Sequence, residues 1–284
     1  VNALLRWAEV PMVPFDLETT GVNALRDRPV TAYAARHHAD GRIELEQDWL
    51  INPGVPIPAG AAEVHGITDE IARRDGTEPG PSVDSLIEHL LRCSIEDAKQ
   101  DGLPAGLGRP VVGMNIAYDL TMLHADALRH GVRTFEQRRH DSGAFVPVID
   151  IYVLDKQVDR YRKGKRKLVD LARVYHVPLD NAHDARADAV ASVQIARKIG
   201  LGASQVVARM DLRELHHAQV GWRAEQCARL QAYFRRSGKV DEVVDPCWPV
   251  CLGHAPASAP EAAAEVRPES KGAATGNAQI EVLF

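Results

Sequence analysis

Val13-Pro14-Phe15-Asp16-Leu17-Glu18-Thr19-Thr20-Gly21 is an apolar run that ends in two carboxylates one residue apart and then turns. The run predicts a short strand, and on a strand residues i and i+2 share a face. Asp16 and Glu18 can therefore reach one ion while Leu17 faces the core. Thr19-Thr20-Gly21 turns the chain, and Gly21 allows backbone to approach a ligand closely. Taken alone, the pair reads equally well as solvated acids at a strand end.

Working outward, Pro29 to Arg36 and Arg42 to Ile51 have the β-branched, alternating character of two further strands, with Ala39-Asp40-Gly41 as the turn between them. Asn52 to Gly60, rich in Pro and Gly, reads as loop. Ser82 to Ala98 carries a helical stripe of Val83, Leu86, Ile87, Leu90 and Leu91, with Ser82 as its cap. Arg109 to Met114 is a buried-type strand. Ala117 to His130 is a helix with Leu120, Leu123, Ala127 and Leu128 inward, closed by Gly131. Val146 to Tyr152 reads as a strand, and Leu168 to Tyr175 and Asp184 to Ile199 as helices. A β-meander followed by alternating helices and strands predicts an α/β fold, a mixed sheet with helices on its faces.

After Gly202 the character changes. Ser204 to Arg236 predicts one or two amphipathic helices docked against the core. Ala255 to Asn277 is dominated by Ala, Pro, Glu, Ser and Gly, too poor in apolar residues to order itself. Ile280-Glu281-Val282-Leu283-Phe284 resembles the remnant of a viral-protease tag site and is set aside.

At 284 residues the chain can hold one sizeable domain plus an appendage, or two small domains. A net charge of −5 rules out a globally basic nucleic-acid binder, so a polyanion must be met by a local basic patch or by bound metal. No apolar run approaches the ~20 residues that span a bilayer, and the first residues lack a signal-peptide pattern. Four cysteines, Cys93, Cys227, Cys247 and Cys251, do not form a disulfide framework, which makes a reducing cytoplasm the expected setting.

Two more segments carry acids in telling places. Asn115-Ile116-Ala117-Tyr118-Asp119 sets Asp119 in the first turn of a helix that follows a strand. A dipole-complementing Asp would sit there too. His183-Asp184-Ala185-Arg186-Ala187-Asp188 opens another helix. Five residues at ~100° each would put His183 and Asp188 ~140° apart on one helix. Both can face one site if His183 lies on the loop entering the helix and Asp188 within it. Carboxylates suit hard cations such as Mg²⁺ or Mn²⁺, and no thiolate or imidazole cluster accompanies these acids. Two ions ~3.5–4 Å apart can clamp a phosphodiester, and a neutral His can take the proton of the attacking water. Without metal the four acids should repel one another and be partly protonated.

These segments resemble the motifs of the DEDDh 3′–5′ exonucleases, the ribonuclease-H-like family that includes the proofreading epsilon subunit of bacterial DNA polymerase III. The resemblance covers residues 8–200, followed by a helical extension at 201–252 and a tail at 253–284. It implies a five-stranded mixed sheet, two divalent cations, and stepwise release of nucleoside monophosphates from 3′ ends. Metal binding would fall to Asp16, Glu18, Asp119 and Asp188, with His183 as general base. Val64-His65-Gly66-Ile67-Thr68 resembles a family segment near the 3′ nucleotide, which makes His65 a substrate contact, joined by Thr19, Thr20 and Asn115. The family's aromatic before the third acid is usually Phe, where this chain has Tyr118.

The run Arg160-Tyr161-Arg162-Lys163-Gly164-Lys165-Arg166-Lys167 is either a solvated loop or an arm that tracks phosphates, with Arg162 and Lys165 as contacts and Tyr161 for stacking. Cys247, Cys251 and His254, with Cys227, could ligate zinc; the lack of paired Cys-x-x-Cys knuckles favours free thiols. The expected substrate is single-stranded DNA or frayed 3′ ends, with a DNA polymerase as a candidate partner. Two alternatives stand beside it: an exoribonuclease or oligoribonuclease of the same family, and a non-catalytic nucleic-acid-binding or polymerase-associated module.

Overall fold

The computed structural model describes residues 6–179, 183–202 and 204–252. The expectations for the tail, the tag-like terminus and His254 lie outside the described residues. Five strands form one mixed sheet in the order β3-β2-β1-β4-β5. β1 (Val13–Thr19), β2 (Pro29–His37) and β3 (Ile43–Leu50) are the antiparallel meander. β4 (Val111–Gly113) and β5 (Val148–Asp150) run parallel to β1, with Val13 paired to Val111 and Val112 to Ile149. Parallel neighbours need long crossovers, and the chain supplies them as helices.

The first crossover passes through α1 (Ala59–His65), α2 (Asp69–Asp75) and α3 (Pro79–Ile95). α4 (Ala117–Arg129) and α5 (Phe135–Ser142) link β4 to β5. Then come α6 (Ile151–Val158), α7 (Leu168–Tyr175), α8 (Ala185–Leu201), α9 (Gln205–Arg209) and α10 (Leu212–Arg236). On one side of the sheet Phe15 and Leu17 pack with Leu86 and Leu90 of α3 and Leu120 of α4. On the other, Met12, Val112 and Ile149 pack with Ile195 and Ile199 of α8. A buried side chain of this size contributes about 1.5–3 kcal/mol. Trp7 seals the second layer: its ring lies where a Cβ on Gly200 would sit at 2.5 Å, and its Nε1–H donates to Val207 O at 2.9 Å.

Several local expectations shift. α3 starts at Pro79 with Glu78 as its cap, because Pro tolerates the first helical turn; Ser82 lies inside and returns its hydroxyl to Glu78 O. Leu128 is 58% exposed, not inward. The strand expected at Val146 to Tyr152 stops at Asp150, whose side chain accepts the N–H of Tyr152 and so caps α6. That helix, with α1, α2 and α5, has no counterpart in the sequence reading.

α10 lies along β5, the edge strand. His216 Nδ1 accepts the N–H of Val148 at 3.0 Å. Gln219 accepts the N–H of Asp150 at 2.8 Å and donates to Val148 O at 2.9 Å. Side chains of a helix thus take the place of a sixth strand. His216 is pushed down to about 4, chiefly by burial, and so stays neutral and able to accept.

Candidate active site

β1, β4 and β5 all point their C-terminal ends the same way, and the acidic residues gather there. β4 ends at Gly113, so the part of β1 beyond Phe15 has no neighbouring strand on that side. The free N–H of Leu17 donates instead to Asp119 Oδ1 at 3.1 Å. This bond sets the Asp119 carboxylate against the backbone between Asp16 and Glu18. Asp119 itself is 4% exposed. Alternation on β1 turns Asp16 and Glu18 to the opposite face from Leu17, which is 6% exposed in the core.

α8 delivers the fourth acid. Asp184 caps the helix by accepting the N–H of Ala187 at 2.9 Å, and Asp188 follows in the first turn. His183 lies outside the helix with φ +71°, and its N–H donates to Asp188 Oδ2 at 3.3 Å. The left-handed backbone brings imidazole and carboxylate to one side despite the five-residue gap. The ligand atoms of Glu18, His183 and Asp188 all lie within 4.8 Å of one another. Arg186 pins this turn from behind, pairing with Glu46 of β3 at 2.6 Å; Glu46 also accepts from Tyr33 OH at 2.7 Å.

The electrostatics follow from this crowding. Asp16 is held well above the ordinary carboxylate range by burial, then by Asp119, Asp188 and Glu18. Burial, with Asp188 and Asp184, pushes Glu18 up to about 8. Burial raises Asp188 to about 6, although His183 pulls the other way. Asp119 is raised by burial against the pull of the Leu17 N–H. Asp188 Oδ1 is buried with no hydrogen-bond partner. Repelling, desolvated carboxylates with an orphaned oxygen are a donor set that fits hard divalent cations.

The remaining site candidates are placed as follows. Thr19 Oγ1 donates to Gly21 O at 2.8 Å and lies 2.8 Å from Tyr118 OH, which also donates to Gly21 O. Thr20 accepts the N–H of Arg28 at 3.0 Å. The close approach that needs Gly21 is to Asp27, whose carboxylate a Cβ would meet at 2.5 Å. His65 ends α1 beside Thr19; its Nδ1 accepts the N–H of Ile67 at 3.1 Å, so Nε2 carries the proton, and Nε2 is buried facing the Thr19 backbone. Asn115 takes φ +53° and donates its N–H to Asp150 Oδ1 at 3.0 Å.

Arg162 and Lys165 lie on the loop between α6 and α7, and the structure does not bring them to the acids. Arg162 turns inward onto Asp155 at 2.6 Å. Lys165 is exposed. Among the cysteines, Cys227 Sγ donates to Asp245 O at 3.4 Å and Cys251 Sγ to Cys247 O at 2.7 Å. Asp150 escaped the sequence reading. Its one local signal is an Asp between a strand and a helix.

No family model matches the chain. It is 28% identical over 209 residues, 74% of its length, to DNA polymerase III PolC-type of Lacticaseibacillus paracasei. The Streptococcus thermophilus protein of the same name is 31% identical over 189 residues, 66% of the chain. The match spans 11–12% of these curated relatives. Among solved structures, Escherichia coli exonuclease I with a dA16 oligonucleotide superposes with a TM-score of 0.56 at 18% identity, over 70% of this chain and 42% of that one. Its zinc-bound complex with single-stranded DNA gives 0.52 at 19% identity, over 67% and 40%. The chain has the ribonuclease-H-like exonuclease fold and is similar in sequence to a segment of PolC-type DNA polymerase III. The shared fold accounts for the five-stranded mixed sheet and its flanking helices.

Proposed function

We propose that the chain is a metal-dependent 3′–5′ exonuclease of the DEDDh type that releases nucleoside monophosphates from DNA, with single-stranded or frayed 3′ ends preferred. The observation that carries this reading is the convergence of Glu18, His183 and Asp188 beside Asp16 and Asp119 in one mutually repelling cluster. Asp16, Glu18, Asp119 and Asp188 would hold two divalent cations, Mg²⁺ or Mn²⁺. Such ions supply positive charge at the scissile phosphate and acidify the attacking water. His183, outside α8 and exposed, takes the water's proton on its ring. The Thr19–Gly21 turn and His65 Nε2–H face the terminal nucleotide from the other flank and orient it. The dA16 and single-stranded DNA complexes of the solved neighbours support DNA as substrate, and the polymerase relatives support association with a DNA polymerase. Among the described residues, no helix is long and apolar enough to cross a membrane.

The test is product analysis on 3′- and 5′-labelled DNA and RNA of matched sequence, with Mg²⁺, Mn²⁺ or chelator. Mononucleotide release from DNA 3′ ends that stops on chelation is the expected result. A strong preference for RNA would overturn the substrate assignment, and release from 5′ ends would overturn the polarity.

A further inference from the structure

The chain after α10 returns across the molecule to the turn that carries Asp119. Trp248 is 7% exposed and sits in the same apolar cluster as Ile116, Ala117 and Leu120. Its Nε1–H donates to Asp150 Oδ2 at 3.4 Å, and the N–H of Cys251 donates to Thr121 Oγ1 on α4 at 2.7 Å. This strap is itself tied down: Cys247 N–H donates to Asp245 Oδ1 at 2.8 Å, and Asp245 O accepts from Cys227 of α10.

Asp150 joins the strap to the acidic cluster. It is 1% exposed, and its second oxygen, Oδ1, accepts the N–H groups of Asn115 and Tyr152, both at 3.0 Å. A carboxylate engaged through both oxygens has little freedom to rotate. One of the groups it fixes is the backbone of Asn115, held at φ +53°, a left-handed conformation that Asn tolerates better than most L residues. The Asn115 turn launches α4, and Asp119 lies in the first turn of that helix. A carboxyl-bearing side chain is thus buried beside the turn that launches the helix carrying Asp119. Its contacts join the C-terminal strap, β5 and the start of α4.

We propose that Trp248 and Asp150 are positioning residues. The strap, acting through Asp150, fixes the Asn115 turn and with it the angle at which Asp119 meets β1. This rests on the reading of Asp119 as a metal-holding carboxylate. It gives the region beyond the exonuclease core a part in the reaction: the C-terminal segment sets the site's geometry from outside, without touching substrate.

The experiment uses the full chain with Trp248→Phe, which keeps a ring but removes the indole N–H, Asp150→Asn, and the pair combined. Thr121→Val, which removes the strap's other tether, serves if one of these fails to fold. The readouts are kcat and KM for Mg²⁺-dependent mononucleotide release, Tm in chelator, and the amide NMR shift of Leu17, whose N–H reports where Asp119 lies. Each single variant should lower kcat by about 10–100-fold, as losing a partner that orients a metal-holding group does, with KM unchanged and the Leu17 amide displaced. In the Asp150→Asn background, Trp248→Phe should add no further loss, because the two act as one unit. Losses that add in full, a kcat loss that simply follows Tm, or an unmoved Leu17 amide would overturn the proposal. An unaltered chain without Mg²⁺-dependent release would instead defeat the nuclease reading, and the Leu17 amide would still decide the positioning claim.

Discussion

Two of the regions that bury carboxylates treat them in opposite ways. Asp155 on α6 is fully buried, and the chain supplies all its partners: Arg162 at 2.6 Å, Arg166, and Tyr175 OH at 2.8 Å. At the C-terminal end of the sheet, Asp16, Glu18, Asp119 and Asp188 are gathered without one arginine or lysine pairing with them in the described residues. A buried charge with its partners built in is a structural bolt. A buried cluster of like charges is strained until protons or a cation relieve the repulsion. The contrast also bears on the basic run, where two of its arginines face inward to Asp155 while Lys163 and Lys165 stay in solvent.

The contrast can be broken at four points. Asp16→Asn should abolish Mg²⁺-dependent mononucleotide release while leaving Tm in chelator unchanged or raised, since it removes one repelling charge. Retained activity would remove Asp16 from the site. His183→Ala should lower kcat by roughly 10²–10⁴-fold if the imidazole takes the water's proton; a loss well below that in single-turnover assays would make it a bystander. Asp155→Ala should act on stability instead, costing about 3–5 kcal/mol in denaturant melts by leaving the buried Arg166 without its carboxylate and Arg162 with Asp159 alone. Lys165→Ala is the smallest change. It should leave stability within about 0.5 kcal/mol, and should reduce the salt dependence of oligonucleotide binding by about one unit of slope only if Lys165 touches a phosphate.

The acid cluster also predicts a pH effect with a definite sign. Glu18 rises from 4.5 to about 8, and Asp188 rises from 3.8 to about 6. Through this window Glu18 and Asp188 bind more protons in the metal-free folded chain than in the unfolded one, so their contribution to stability falls as pH rises from about 4 to about 8, against the opposite contribution of His216, which is held near 4. Saturating Mg²⁺ should flatten that slope, because the cation replaces the protons. A Glu18→Gln variant whose Tm in chelator keeps the same pH slope as the unaltered chain would contradict the crowding.

What was legible in the sequence was whatever repeats or pairs locally. Alternation placed the meander, and the one-residue spacing of Asp16 and Glu18 gave them a common face. The His183–Asp188 gap foretold that the His must leave the helix, which the left-handed backbone at His183 accomplishes. α1, α2 and α5 bury at most one residue each, so no apolar stripe marks them as α7's does. The strand-like apolar run at Val146 to Tyr152 hides a switch at Asp150 that only its hydrogen bonds reveal. The roles of Trp248, Asp150 and Gln219 depend on partners from 35 to 98 residues away, and no local pattern carries those.

The replacement of a sixth strand by His216 and Gln219 has a practical side. A fragment ending near Gly200 would keep every acid of the cluster yet leave the N–H groups of Val148 and Asp150 and the carbonyl of Val148 open along β5. An open edge of that kind invites another chain to add a strand. Such a fragment should self-associate through β5, and any activity it lost would report lost solubility as much as lost chemistry.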